Sequence, residues 1–286
     1  MSEVSEVTKK LPSFLGIGAM RSGTTWLDNI LRSHPDIYLP ERRKEIHFFD
    51  LYYDKGINWY QDFFPTEEQR QNYQQIGEIT PAYLYLPEIP SRIKDSIPNC
   101  RFLVILRNPV DRAYSHYGFW VKNSAEKRAF EDLLEQEPEI IGKGMYYQQF
   151  ERYLQHFPRE SFLVLIFEEI TQNPLPALEQ LSKFLAVDSH KFDLSTTSQK
   201  KNASASVLFP QARALACKFR DFLRNNDIDW LWNLAKSSGV NQIFETTGKP
   251  LPPLNREIRA KLIDRYSSDV SNLEKLLDID FSLWKY

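Results

Sequence analysis

Hydrophobic and polar positions along the chain follow two repeats, continuous apolar runs of strand length and apolar pairs at helical spacing. Residues 14–17, Phe-Leu-Gly-Ile, predict a buried strand, which breaks into a loop holding Gly18 and Gly23. Trp26, Leu27, Ile30 and Leu31 then recur at i, i+1, i+4 and i+5, one face of a helix. His34-Pro35 should end that helix, because the residue before proline avoids the α region. Residues 36–56 read as mostly loop, and Asn58 as the cap of a short helix carrying Trp59, Tyr60, Phe63 and Phe64. Ile76-Gly-Glu-Ile-Thr-Pro81 predicts a strand running into a turn, and Pro90 to Ile97 a helix with an exposed basic face.

Further on, Arg101 to Leu106 is uniformly apolar after its first residue, as a central parallel strand requires. Pro109 suits a helix start, where its missing N–H costs nothing. A helix over Tyr146 to Phe157, a strand over Ser161 to Phe167 and a helix over Glu168 to Leu185, broken at Pro174, follow. Residues 188–206 read as a long polar loop, 207–235 and 255–277 as helical, and Gly248 to Pro253 as irregular. Strands alternating with helices predict an α/β fold: a P-loop-like, doubly wound parallel sheet flanked by helices. Residues 1–12 read as a disordered leader and 13–286 as one domain. A ligand is expected at the carboxyl ends of the strands.

Charge and composition narrow the functions. With 36 basic and 38 acidic residues, the net charge of −2 gives no basic excess for nucleic acid. Two cysteines are too few for a disulfide framework or a zinc site, and both read as buried thiols. The polar N-terminus is no signal peptide, and the longest apolar run, Phe102 to Leu106, is far short of a membrane span. No membrane or nucleic-acid partner is expected, and the oligomeric state is left open.

The glycine loop carries the chemistry. Gly18-x4-Gly23 has the spacing of a phosphate-binding loop, and the unpaired N–H groups of a helix start favour an anion. A nucleoside triphosphatase would continue with Lys and then Ser or Thr, but this chain has Thr24 and Thr25. Its cation comes earlier, at Arg21. The loop suits a nucleotide whose 5′ end carries one phosphate and a second group to be transferred. A P-loop-type nucleotide kinase and a non-catalytic nucleotide binder are the alternatives.

Residues 14–26 resemble the 5′-phosphosulfate loop of sulfotransferases that use 3′-phosphoadenosine 5′-phosphosulfate (PAPS). Residues 101–117, containing Arg107-Asn-Pro-Val-Asp-Arg-Ala-Tyr-Ser115, resemble the segment that holds the 3′-phosphate in that family. The resemblance runs from about residue 13 to 185 and is closest to the heparan-sulfate type. It implies PAPS-dependent sulfuryl transfer to a hydroxyl or amine of a glycan or small metabolite, with no metal required. It implies that Arg21, Ser22, Gly23, Thr24, Thr25 and Trp26 bind the phosphosulfate, with Arg21 at the leaving group. Arg107 and Ser115 would take the 3′-phosphate, and Lys200 or Lys201 would close over the nucleotide. Glu45 corresponds to the family's base, with His47 two residues on as the rival. Lys44 is expected to contact an anion or solvent. Glu78 to Tyr83 matches the segment beside the acceptor cleft, where Ile79 replaces a lysine found in heparan-sulfate enzymes. Trp120, Tyr146 and Tyr147 are candidate acceptor platforms. The Golgi members carry an N-terminal anchor that this sequence lacks, so a cytoplasmic, bacterial protein is expected.

Overall fold

A computed structural model describes residues 11–124, 126–197, 205–207, 210–229, 231–232 and 247–284. The chain divides into two compact units, Met1–Asn108 with Met145–Gln199 and Tyr266–Tyr286, and Pro109–Gly144 with Lys200–Arg265.

The first unit is built on a five-stranded sheet of order β2-β3-β1-β4-β5, where β1 is Phe14–Gly18, β2 Ile37–Tyr38, β3 Gln75–Ile79, β4 Arg101–Leu106 and β5 Phe162–Ile166. Every pairing in it is parallel. Alternate residues of each strand face opposite ways, so the continuous apolar runs serve two cores. On one face Leu15, Ile17, Phe102, Val104 and Leu106 pack with Phe48, Phe49, Tyr60, Tyr83, Phe150 and Tyr153. On the other, Phe14, Ile79, Leu103 and Ile105 meet Leu27, Ile30 and Leu31 of α1 (Thr24–Ser33) and Leu178 and Leu181 of Leu175–Leu185. Both faces are covered, as the strand patterns demand. The carboxyl ends of β1 and β4 lead directly into the glycine loop and Arg107.

The second unit contains α2 (Pro109–Asn123), α3 (Pro210–Asn225) and an antiparallel pair, β6 (Ala205–Val207) with β7 (Thr247–Pro250). Within it Asp111 is ion-paired with Arg259, and the Tyr114 hydroxyl donates to the Pro252 carbonyl.

Four expectations need adjustment. Asn58 does not cap its helix: Gly56–Gln61 begins two residues earlier, off a short turn at Tyr53–Lys55, and Gly56 takes a positive φ of 78° there. The stretch expected to be irregular, Gly248 to Pro253, overlaps β7, whose Gly and Pro residues mask a strand that exists only through its partner. Leu11, placed with the leader, is 3% exposed, and its carbonyl accepts from Arg70 Nη2 at 3.1 Å. Cys100 is buried as expected, but Cys217 is only half-buried. Residues 1–10 lie outside the described residues.

Candidate active site

The loop between β1 and α1 is fixed by backbone geometry. Gly23 has φ 96°, a left-handed conformation that side chains rarely adopt, and a Cβ there would lie 2.9 Å from the Phe167 ring. Arg21 also has a positive φ, 70°. Helix α1 starts at Thr24 with no side-chain cap and no acidic residue in its first turn. Its dipole therefore acts uncompensated toward the loop. Ser22 is fully buried, and its Oγ has no hydrogen-bond partner among the described residues.

Arg107, at the end of β4, braces this loop. Its Nη1 donates to the Arg21 carbonyl at 3.2 Å, and its guanidinium lies 4.7 Å from the Phe167 ring centroid. Phe167 is the ring packed beside Gly23, so Arg107 and Phe167 restrain the loop at two points, Arg21 and Gly23. The Arg107 backbone is held in turn, its carbonyl accepting from the Tyr146 hydroxyl at 3.0 Å. Tyr146 is fully buried in this role and is no open platform.

Lys44 brings a second cation to the loop. Its Nζ is 3.5 Å from Thr25 Oγ1 and 3.7 Å from Asp28 Oδ2. Its neighbour Arg43 is the anchor, 2% exposed and lodged among the rings of Tyr52, Trp59 and Phe63. The chain thus presents a lysine ammonium near the helix start from another segment, in place of the lysine that the glycine motif lacks.

Glu45 and His47 follow at once. His47 adopts φ 60°. Its Nδ1 lies 2.8 Å from Asp50 Oδ2 and its Nε2 3.5 Å from Glu45 Oε2. Asp50 was not singled out by the sequence, although its spacing of three from His47 was the available signal. Burial opposes a charge on His47, but hydrogen bonds to Asp50 and Glu45 outweigh it and raise the imidazole pKa to about 9. At neutral pH His47 is then a cation with both nitrogens protonated, unsuited to accept a proton. Glu45, its side chain 38% exposed, is the open acceptor of the pair.

This shift has a measurable consequence. A folded-state pKa raised from 6.5 to about 9 contributes stability that is fully present below pH 6.5 and lost as pH rises through 9. The amount is about 3 kcal/mol. The melting temperature is expected to fall between pH 6.5 and 9 and to fall much less in His47→Gln, as followed by calorimetry. Parallel curves would mean that His47 does not hold its proton in the folded protein.

The remaining sequence candidates are placed as follows. Ser115 lies half-buried on α2 of the second unit, as does Trp120. Tyr147 is half-buried, its hydroxyl donating to Glu151 at 2.6 Å. Lys200 and Lys201 lie outside the described residues. Ile79 is 1% exposed and packed in the core behind the sheet. Among the described residues, no helix is long and apolar enough to cross a membrane.

Comparison with known proteins adds to this geometry. A family model described as sulfotransferase domain matches residues 11–218. The human heparan sulfate glucosamine 3-O-sulfotransferase 3A1 is 32% identical over 272 residues, 92% of this chain and 60% of that protein. The membrane-associated sulfotransferase kil1 of Dictyostelium discoideum is 38% identical over 137 residues, 46% of this chain and 29% of that protein. The chain thus spans less than two thirds of the length of either relative. The crystal structure of a sulfotransferase from Alicyclobacillus acidocaldarius matches with a TM-score of 0.65 and 26% identity, covering 96% of this chain and 99% of that one.

Proposed function

Because the chain belongs to the sulfotransferase domain family, we propose that it transfers a sulfuryl group from PAPS to a hydroxyl or amine of an acceptor, leaving 3′-phosphoadenosine 5′-phosphate. The observation that carries this reading is the uncapped start of α1 behind a left-handed glycine, with the cations Arg21, Lys44 and Arg107 in its loop or against it. The buried, unpartnered Ser22 Oγ and the exposed first-turn dipole fit a 5′-phosphosulfate. PAPS would supply an activated sulfuryl group on a phosphate leaving group.

The chain's own residues do the rest. The N–H groups of Ser22 to Trp26 and the hydroxyls of Thr24 and Thr25 bind the anion. Arg21 offsets charge at the leaving oxygen. It is permanently protonated, so it stabilises without donating its proton. Lys44 adds a second positive charge on the Thr25 side. Glu45 takes the proton from the acceptor, and His47, held charged by Asp50, orients Glu45. Arg107 meets the 3′-phosphate while bracing the loop, and Ser115 keeps the role the resemblance implies. With positioning and fixed charge in place, no metal is invoked.

The acceptor reading rests on position 79. A buried isoleucine there supplies no cation toward an acceptor. We therefore favour a less anionic glycan or a hydroxylated metabolite over a highly sulfated chain. Incubation with ³⁵S-labelled PAPS and an acceptor panel tests this: label is expected on neutral or weakly anionic acceptors. Label confined to highly sulfated heparan would overturn the acceptor class.

A further inference from the structure

We propose that Glu78 is a positioning residue for the reaction, fixing from the buried end of β3 the loop that carries Glu45 and His47. This rests on the sulfuryl-transfer reading of that loop.

Glu78 has no solvent exposure. Its Oε1 accepts from the Tyr60 hydroxyl at 2.8 Å and the Tyr83 hydroxyl at 3.0 Å, and its Oε2 accepts from Thr80 Oγ1 at 2.9 Å. A hydroxyl has one proton and two acceptor lone pairs. A carboxylate that claims the proton forces the hydroxyl to face the rest of its surroundings as an acceptor. Two of these hydroxyls do so toward the loop. Thr80 Oγ1 accepts from the His47 N–H at 3.5 Å, and the Tyr83 hydroxyl accepts from the Phe49 N–H at 3.3 Å. Between them, the Phe48 ring stacks on Tyr60, with centroids 4.4 Å apart and planes at 10°. Residues 47, 48 and 49 are therefore held in succession by the three side chains whose hydroxyls point at Glu78. The loop needs this restraint. His47 sits at φ 60°, a conformation that a residue with a side chain keeps only when its surroundings impose it.

An apolar core would be the cheaper filling for this position, since a buried carboxylate is costly to ionise. The groups facing Glu78 are Tyr60, Tyr83, Cys100 and His47, with Asp50 beyond Tyr83. Burial raises the Glu78 pKa to about 7, although the three hydroxyls and the His47 charge act against the rise. Below that value the carboxyl gains a proton of its own, and one hydroxyl loses its reason to point inward.

The test uses Glu78→Gln, Thr80→Val and Thr80→Ser in the full chain. Glutamine keeps the volume but turns one oxygen into a donor, so one hydroxyl must reverse. Three quantities are read: kcat with PAPS and acceptor, the Kd for 3′-phosphoadenosine 5′-phosphate, and the His47 imidazole titration by NMR, assigned with His47→Gln. The expected result for Glu78→Gln and Thr80→Val is a kcat loss on the order of 10–100-fold, the scale of a misplacement near 1 Å. The Kd should stay within about twofold, and the His47 titration should move down from about 9 toward 6.5. Thr80→Ser should restore both. In the parent protein kcat should fall as pH drops through 7, and this limb should vanish in Glu78→Gln. An unchanged His47 titration, a Kd that weakens in step with kcat, or a failure of Thr80→Ser to rescue would overturn the proposal. If the parent protein transfers no sulfuryl group yet the His47 titration moves as expected, the reading of the activity fails and the positioning role stands.

Discussion

Replacing Glu45 with glutamine is expected to lower turnover by about 10²–10⁴-fold, the usual contribution of a general base. The affinity for 3′-phosphoadenosine 5′-phosphate should barely change. Glutamine keeps the shape of the side chain and removes the proton acceptor. Glu45 is the most exposed member of its local set, its side chain 38% exposed, whereas Asp50 is nearly buried against Nδ1 of His47 and the His47 pKa is raised to about 9. His47→Ala should cost less, because it removes the group that orients the base and leaves the base itself. Initial rates with saturating PAPS decide the matter. Full turnover in Glu45→Gln with none in His47→Ala would reverse the two roles.

Arg107→Ala should weaken binding of 3′-phosphoadenosine 5′-phosphate by about 1.5–3 kcal/mol, the range for a hydrogen bond to a charged group. The resemblance alone gives Arg107 the 3′-phosphate and nothing else, which would leave adenosine 5′-phosphate unaffected. The structure adds the bond to the Arg21 carbonyl and the contact with Phe167. Adenosine 5′-phosphate should therefore also weaken, by about 1 kcal/mol, the worth of a neutral hydrogen bond. Calorimetric titration of both nucleotides separates the two contributions. A loss confined to the 3′-phosphorylated nucleotide would show that the loop does not need Arg107, and equal losses would mean that Arg107 is structural.

The parallel sheet was legible because its signals are local. The runs 14–17 and 101–106, the glycine spacing before Trp26 and the proline at 109 each report on their own segment. The glycine loop between the first strand and its helix could be placed for the same reason. What was not legible depends on residues distant in sequence. Nothing around Glu78 says that Tyr60 and Tyr83 will converge on it, because that needs β3 and the helix at Gly56–Gln61 in place. The caging of Arg43, which aims Lys44 at Thr25, likewise needs three rings from separate turns. The sequence left Glu45 and His47 as rivals because it does not show the 2.8 Å contact to Asp50, which helps to raise the imidazole pKa. Strand β7 was hidden by Gly248, Pro250 and Pro252, whose intrinsic preferences oppose the strand that pairing creates.

The measurement that bears most directly on the central claim is a thermal-shift comparison of two nucleotides at equal concentration. Any ligand binding only the folded state at 100 times its Kd adds about 2.7 kcal/mol. A loop with Thr24 in place of the lysine, and with Arg21 and Lys44 as its cations, should accept 3′-phosphoadenosine 5′-phosphate. ATP with magnesium at the same concentration should leave the melting temperature nearly unmoved. Equal shifts with the two nucleotides, or a larger one with ATP and magnesium, would contradict the assignment of this loop to a phosphosulfate donor.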